Sequence, residues 1–352
     1  MKAFAAVSQA LLVVPVASFT LGGPQHIACK VGTTAAASSS PSFQSAAAAA
    51  AVALLRRRRS ASASAPASST ALPYRPFTQV ISDVDDTIKS SGGVNVGGVA
   101  LGGIDTQYTR GDFYPGVFQF YLELSLHPVE QINESLVSRR RDDDDVYLPK
   151  IDPPKVSILT ARAEEFKAAL ELKEDSKLAV AFRSAGEDAG VDGWGLGPVL
   201  YGSVAEWIIQ DKKGLRKFNS FEQLVQQDPT GRIMQYVWVG DTGELDQEAG
   251  ETMLREYPEV VKAVFLHVVS EAAGPSVPAP KLINGRPVVF FRTYVGAAAR
   301  AVQLGLMGDD GLLRVMAAAE DALEGAGVPR TSDKWADIEQ DMALASRTLS
   351  LE

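Results

Sequence analysis

From Phe77 onward, short runs of apolar, β-branched and aromatic residues recur along the chain, and polar residues fall at their downstream ends. Residues 77–82 (FTQVIS) predict a strand that runs directly into Asp83-Val84-Asp85-Asp86-Thr87. Residues 155–159 (KVSIL) predict a second strand, ending on Thr160, and 234–239 (MQYVWV) a third, ending on Gly240-Asp241. Residues 199–201, 263–269 and 288–291 read as further strands. Apolar spacing of three and four predicts helices over 117–126, 163–172, 218–226 and 245–255, and two C-terminal helices over 294–306 and 312–323. Residues 92–103 read as a flexible loop or small hairpin, and the Gly-rich 186–197 as a loop. Residues 127–154 carry Arg139, Arg140 and Arg141 followed by four Asp, and read as a solvent-exposed insertion.

Strands that alternate with helices predict an α/β fold, a Rossmann-like open parallel sheet flanked by helices. In such sheets ligands bind outside the carboxyl ends of the strands. Asp83, Thr160 and Asp241 each terminate a different predicted strand, so the topology directs all three toward one crevice.

The first 71 residues follow different rules. Residues 1–18 hold Lys2, an apolar stretch and the small pair Ala17-Ser18, a signal-peptide pattern. The apolar stretch is shorter than the roughly 20 residues a membrane span needs. Residues 19–71 are rich in Ala and Ser, carry four consecutive Arg from Arg56 to Arg59, and contain no acid, as transit peptides do; a disordered low-complexity tail has similar composition. A signal peptide followed by a transit-like segment, with Phe19 at the junction, resembles the bipartite presequences of algae with complex plastids. That resemblance implies a plastid location; secretion is the alternative. Residues 72–352 are then the functional domain, with no apolar segment long enough to cross a bilayer.

Charge and composition narrow the chemistry. Seven of the 34 Lys and Arg precede Asp83 while all 43 acids lie from Asp83 onward. The body therefore sets 27 bases against 43 acids, a formal −16. An acidic body has no general attraction for nucleic acid, so no nucleic-acid partner is expected. A single cysteine, Cys29, permits no intrachain disulfide, and three histidines with one cysteine cannot build a Cys/His zinc cluster. Carboxylates, hydroxyls and lysines are left to carry the chemistry.

Alternate residues beyond a strand address the same side, so Asp83 and Asp85 can face one ligand while Asp86 turns away. Two such carboxylates repel, and a divalent cation relieves the repulsion; with oxygen-only ligands, magnesium is the metal the chemistry favours. The run is equally compatible with an acidic surface turn. Asp241 can complete a metal site, and Asp246, five residues on, can orient it or cap the helix that follows. Thr160 can donate its hydroxyl to a phosphoryl oxygen or cap a helix.

Taken together, the Asp-x-Asp-x-Thr at 83–87, Thr160, a lysine and the Gly240-Asp241 with a further Asp resemble the haloacid dehalogenase superfamily of phosphotransferases. More closely, DVDDTIKSS, FYPGVFQFY and VGDTGELD resemble the catalytic domain of the actin-patch-type phosphatidate phosphatases, over about residues 79–270. The resemblance implies that Asp83 is a nucleophile forming an aspartyl-phosphate, that Asp85 is the general acid and base, and that Thr160 holds the phosphoryl group. It implies magnesium held by Asp83, the backbone carbonyl of Asp85 and Asp241, with Asp246 beside them. Lys212, Lys213 and Lys217 compete for the lysine; the helix-to-Pro phrase KFNSFEQLVQQDP selects Lys217, with Lys213 in reserve. Where the family commonly carries Asn or Ser near the second motif, this chain has Ala161-Arg162, which loosens the transfer of substrate identity. The implied activity is magnesium-dependent hydrolysis of a phosphate monoester, with phosphatidate at a membrane surface the favoured substrate, and DKKGLRK the visible basic candidate for docking. The alternatives are a phosphatase or phosphotransferase acting on a small soluble ester, and a non-catalytic metal-binding interaction module.

Overall fold

The apolar runs assemble into one sheet whose two faces are both buried, as the near-continuous Val, Ile and aromatic content of its strands requires. The computed structural model describes residues 77–93, 95–96, 99–100, 105–138, 152–163, 174–202, 213–228, 233–243, 245–269 and 276–350. Among them, β1 (Phe77–Ser82), β4 (Val156–Ala163), β5 (Leu196–Gly202), β6 (Ile233–Asp241), β7 (Val261–His267), β8 (Lys281–Ile283) and β9 (Arg286–Phe291) form a seven-stranded sheet in the order β5-β4-β1-β6-β7-β9-β8. All neighbouring pairs are parallel except the edge pair β8 and β9. The short β2 (Asn95–Val96) and β3 (Val99–Ala100) pair antiparallel, the small hairpin read from the glycines.

Strand period two sorts the core. Val80, Val237, Val239 and Phe265 point to one face, beneath α1 (Val117–Ser138), α5 (Tyr294–Gln303), α6 (Asp309–Gly325) and α7 (Asp333–Leu349). Ile81, Trp238, Val264 and Leu266 point to the other, where α3 (Lys213–Gln226) and α4 (Asp246–Glu256) cover them. The remaining helix, α2 (Lys177–Asp188), packs against α1. This is an α/β architecture with a mostly parallel sheet flanked by helices, compatible with a Rossmann-like fold.

Several expectations need correction. Residues 127–138, expected in the insertion, form the second half of α1, which continues through Pro128; Val129 there extends the buried stripe of Leu122 and Ser125. The loop expected from Gly186 begins later: α2 runs to Asp188, nucleated by Ser176, whose side chain accepts from the Ala179 amide. Ala163 belongs to β4 rather than to a helix. Thr160 lies inside β4, because that ladder runs on to Ala163, whereas Asp241 is the last residue of β6 as expected. The C-terminal region holds a third helix, α7, capped by Ser332 and buried through Trp335, Ile338 and Ala345. The edge strand β8 also went unread, being short and exposed. The presequence (1–71), the helix expected over 164–172 and the arginine and aspartate runs of the insertion (139–145) lie outside the described residues. No helix among the described residues is long and apolar enough to cross a membrane.

Candidate functional site

Two strand ends meet at the carboxyl edge of the sheet. β1 and β6 are paired in parallel register, Ser82 opposite Val239, so Asp83 and Asp241 emerge side by side. The backbone of Asp83 donates to the Val239 carbonyl at 3.1 Å, which holds the first acid onto the second strand. Asp83 is 3% exposed, and Asp241 and Asp246 are fully buried.

Asp246 reaches the group because Gly240 leaves room for it. A Cβ at Gly240 would stand 2.7 Å from the Asp246 side chain, so the Gly-Asp pair and the acid five residues on are sterically linked. The carboxylate oxygens of Asp83, Asp241 and Asp246 offer ligand atoms that all lie within 4.8 Å of one another.

Lys217 closes the cluster from α3. Its ammonium stands 3.1 Å from Asp83 Oδ1, bonds Asp246 Oδ1, and sits 5.9 Å from the Trp238 ring centroid. Burial alone would lower its pKa, but the carboxylates of Asp246, Asp83 and Asp241 outweigh that and raise it, so the lysine is charged. Three carboxylates and one ammonium leave two negative charges in a buried space. An isolated buried charge of that size is costly, and a divalent cation on oxygen ligands matches it in sign and magnitude. The three Asp therefore fit a metal ion by donor type, number and charge. Asp246 has one oxygen on Lys217 and the other 3.4 Å from the Asp241 amide.

The remaining sequence candidates are placed as follows. The Asp85 carboxylate stands apart from the three-Asp group: its side chain is 37% exposed and 3.7 Å from Lys89 Nζ. The strand pleat that would have aimed Asp83 and Asp85 together ends at Ser82, and the chain turns. Asp86 does turn away, with φ of 56° and its carboxylate accepting from the Ser91 amide at 2.7 Å and hydroxyl at 3.0 Å. Thr160 is buried on β4, two residues beyond Ile158, the partner of Ser82, and so reaches the same edge. Lys212 and the side chain of Lys213 are outside the described residues; the other two basic residues of DKKGLRK, Arg216 and Lys217, are buried.

Sequence reasoning missed the support beneath the first acid. Ser82, Tyr121, Tyr294 and His267 are buried polar groups packed under the turn 83–87. His267 pairs with Asp241 in the β6–β7 ladder and places its ring nitrogens 2.8 Å from the Asp86 carbonyl and 3.1 Å from that of Arg292. Burial, followed by the Arg292 charge, lowers its pKa to about 4, so the ring is neutral near pH 7. The only local signal was that His267 ends a strongly apolar run.

Comparison with protein-family models, with curated proteins and with solved structures returned no match in any of the three.

Proposed function

We propose that this chain is a magnesium-dependent phosphatase of the haloacid dehalogenase type, hydrolysing a phosphate monoester through an aspartyl-phosphate on Asp83. One observation carries the reading: a buried carboxylate ends β1 3.1 Å from a buried lysine and within ligand distance of Asp241. An acidic surface turn would have left Asp83 in water; burial against a cation is what a nucleophile kept ionised requires.

In this reading an Asp83 oxygen attacks phosphorus and the ester P–O bond breaks. The leaving alkoxide takes its proton from Asp85, whose half-exposed position suits exchange with substrate and water. Water then attacks the aspartyl-phosphate, Asp85 takes its proton, and the bond to Asp83 breaks to release inorganic phosphate. Lys217 and the Thr160 hydroxyl bind phosphoryl oxygens. Magnesium on Asp83 and Asp241 would supply charge neutralisation at the transferring phosphoryl group.

A lipid substrate, phosphatidate yielding diacylglycerol, is favoured over a soluble ester by the rim. Leu215 and Leu245 are 43% and 41% exposed at two helix-start turns, Leu215 in the first turn of α3, just before Lys217, and Leu245 as the N-cap of α4, just before Asp246. Those turns touch: a Cβ at Gly214 would lie 3.1 Å from the Leu245 carbonyl. An apolar lip beside a phosphate site suits a phosphate with an acyl tail, and is the docking element in this reading. The plastid location implied by residues 1–71 accords with lipid chemistry.

The test is phosphate release with magnesium over phosphatidate and soluble esters, with Asp83→Asn alongside. Activity on phosphatidate that drops about a thousandfold or more in the variant supports the reading. Activity confined to soluble esters removes the lipid assignment. Folded protein that binds magnesium but releases no phosphate from any ester makes the chain a metal-binding module.

A further inference from the structure

The turn 83–89 has left the main sheet, and three of its carbonyls are met by buried side-chain groups. Ser82 Oγ donates to the Asp83 carbonyl at 2.6 Å, His267 Nδ1 stands 2.8 Å from that of Asp86, and Tyr294 Oη donates to that of Thr87 at 2.7 Å. The last two groups come from 181 and 207 residues downstream, at the end of β7 and the start of α5. Tyr121 Oη lies 2.8 Å from Ser82 Oγ and 3.3 Å from Tyr294 Oη.

Proton accounting fixes the directions. Each hydroxyl has one proton. Ser82 gives its proton to Asp83, so the Tyr121 proton goes to Ser82; the Tyr294 proton goes to Thr87. Burial raises the pKa of both tyrosines, which keeps those protons in place. The turn needs such restraint. Asp86 holds a left-handed φ of 56°, a conformation that persists only where its surroundings over-determine it. Each peptide plane is rigid, so fixing the Asp86 and Thr87 carbonyls also fixes the amides of Thr87 and Ile88. The Ile88 amide in turn donates to the Val84 carbonyl at 2.9 Å, next to Asp83.

We infer that Tyr294, seconded by His267, is a positioning residue for Asp83: it clamps the carbonyl side of the turn and so holds the nucleophile in line with Lys217 and Asp241. Its catalytic consequence rests on the phosphatase reading above. Its structural consequence does not.

The experiment uses the full chain and two conservative variants. Tyr294→Phe keeps the ring and removes the hydroxyl bonded to Thr87. Tyr257→Phe removes a comparable hydroxyl, bonded to Glu222 Oε1 at 2.8 Å, under the opposite face of the sheet. The expected result is a kcat lower by about 10- to 100-fold in Tyr294→Phe, with KM changed by less than about twofold, as misplacement of a reacting group produces. Tyr257→Phe is expected to lose melting temperature without losing kcat. Amide hydrogen exchange at 84–90 should quicken in Tyr294→Phe alone. An active wild type whose Tyr294→Phe variant keeps its kcat overturns the inference and leaves the phosphatase standing. If the wild type releases no phosphate, the phosphatase reading falls and exchange decides the clamp. Faster exchange at 84–90 then upholds it, and unchanged exchange overturns it.

Discussion

The two turns that build the site are alike in outline and opposite in how they are held. Each leaves a parallel strand on an aspartate, and each contains a non-glycine residue in the left-handed region, Asp86 at φ 56° and Leu245 at φ 59°. The turn after β6 is stabilised largely by its own neighbours: the Gly243 amide bonds Asp241, the Asp241 amide approaches Asp246, and Trp238 Nε1 donates to the Asp246 carbonyl at 3.2 Å. The turn after β1 adds to its local bonds side chains from the far end of the chain. A locally held turn can be set by a short motif. A turn held at long range ties Asp83 to completion of the whole sheet and of α5.

Lys217 is where the two turns are joined, and removing it should produce the largest effect. Lys217→Met leaves Asp83 and Asp246 buried without their cation, a loss of about 3–5 kcal/mol by analogy with broken buried pairs. Urea unfolding measures it. Added magnesium should stabilise the variant more than the wild type, because the cation replaces the missing charge. A variant as stable as the wild type in the absence of magnesium would mean that the carboxylates do not need the lysine.

His267 separates the turns by pH, since its titrating ring meets only the first, while the second receives its backbone carbonyl through the Thr242 amide at 3.0 Å. Its pKa of about 4 in the fold lies below the ordinary 6.5. Between those values the unfolded chain binds the extra proton, so this contribution is complete above pH 6.5 and is lost as pH falls toward 4. The slope of stability against pH over that window should flatten in His267→Gln. An unchanged slope would assign the acid sensitivity to other groups.

The smallest effect is expected at Leu245. Leu245→Gly removes left-handed strain of about 1 kcal/mol, so stability should be unchanged or slightly higher. The preference for a phosphate carrying an acyl tail over a soluble ester should narrow with loss of the lip. Equal loss on both substrates would place Leu245 in the scaffold of the metal loop instead.

This contrast also explains what could be read from the sequence. The parallel sheet was legible because MQYVWV and its counterparts are apolar on both pleat faces, and the acids at their ends marked the carboxyl edge. Asp241 and Asp246 were legible as a pair because their contact spans five residues. Lys217 could be chosen over Lys213 from the helix-to-Pro phrase, and the structure does bring its ammonium to Asp83. Tyr294 and His267 gave no such signal. An aromatic at the start of an apolar helix and a histidine at the end of an apolar strand look like core, and their bonds to the first turn exist only once β7 and α5 have docked. Strand alternation does not bring the Asp85 carboxylate into the three-Asp group, because the pleat stops at Ser82. The helices α2 and α7 carried their signals in Ser176 with Leu178 and Phe182, and in Ser332 with Trp335 and Ile338, but weak local hydrophobicity concealed them.

The most direct measurement is to find where the phosphoryl group goes. The chain is mixed with magnesium and a phosphate-labelled substrate that it turns over, quenched in acid within one turnover, and its peptides are mapped by mass. The account predicts label on the peptide containing Asp83, and none there in Asp83→Asn. Phosphate released while that peptide stays unlabelled, or label found on another residue, would contradict it.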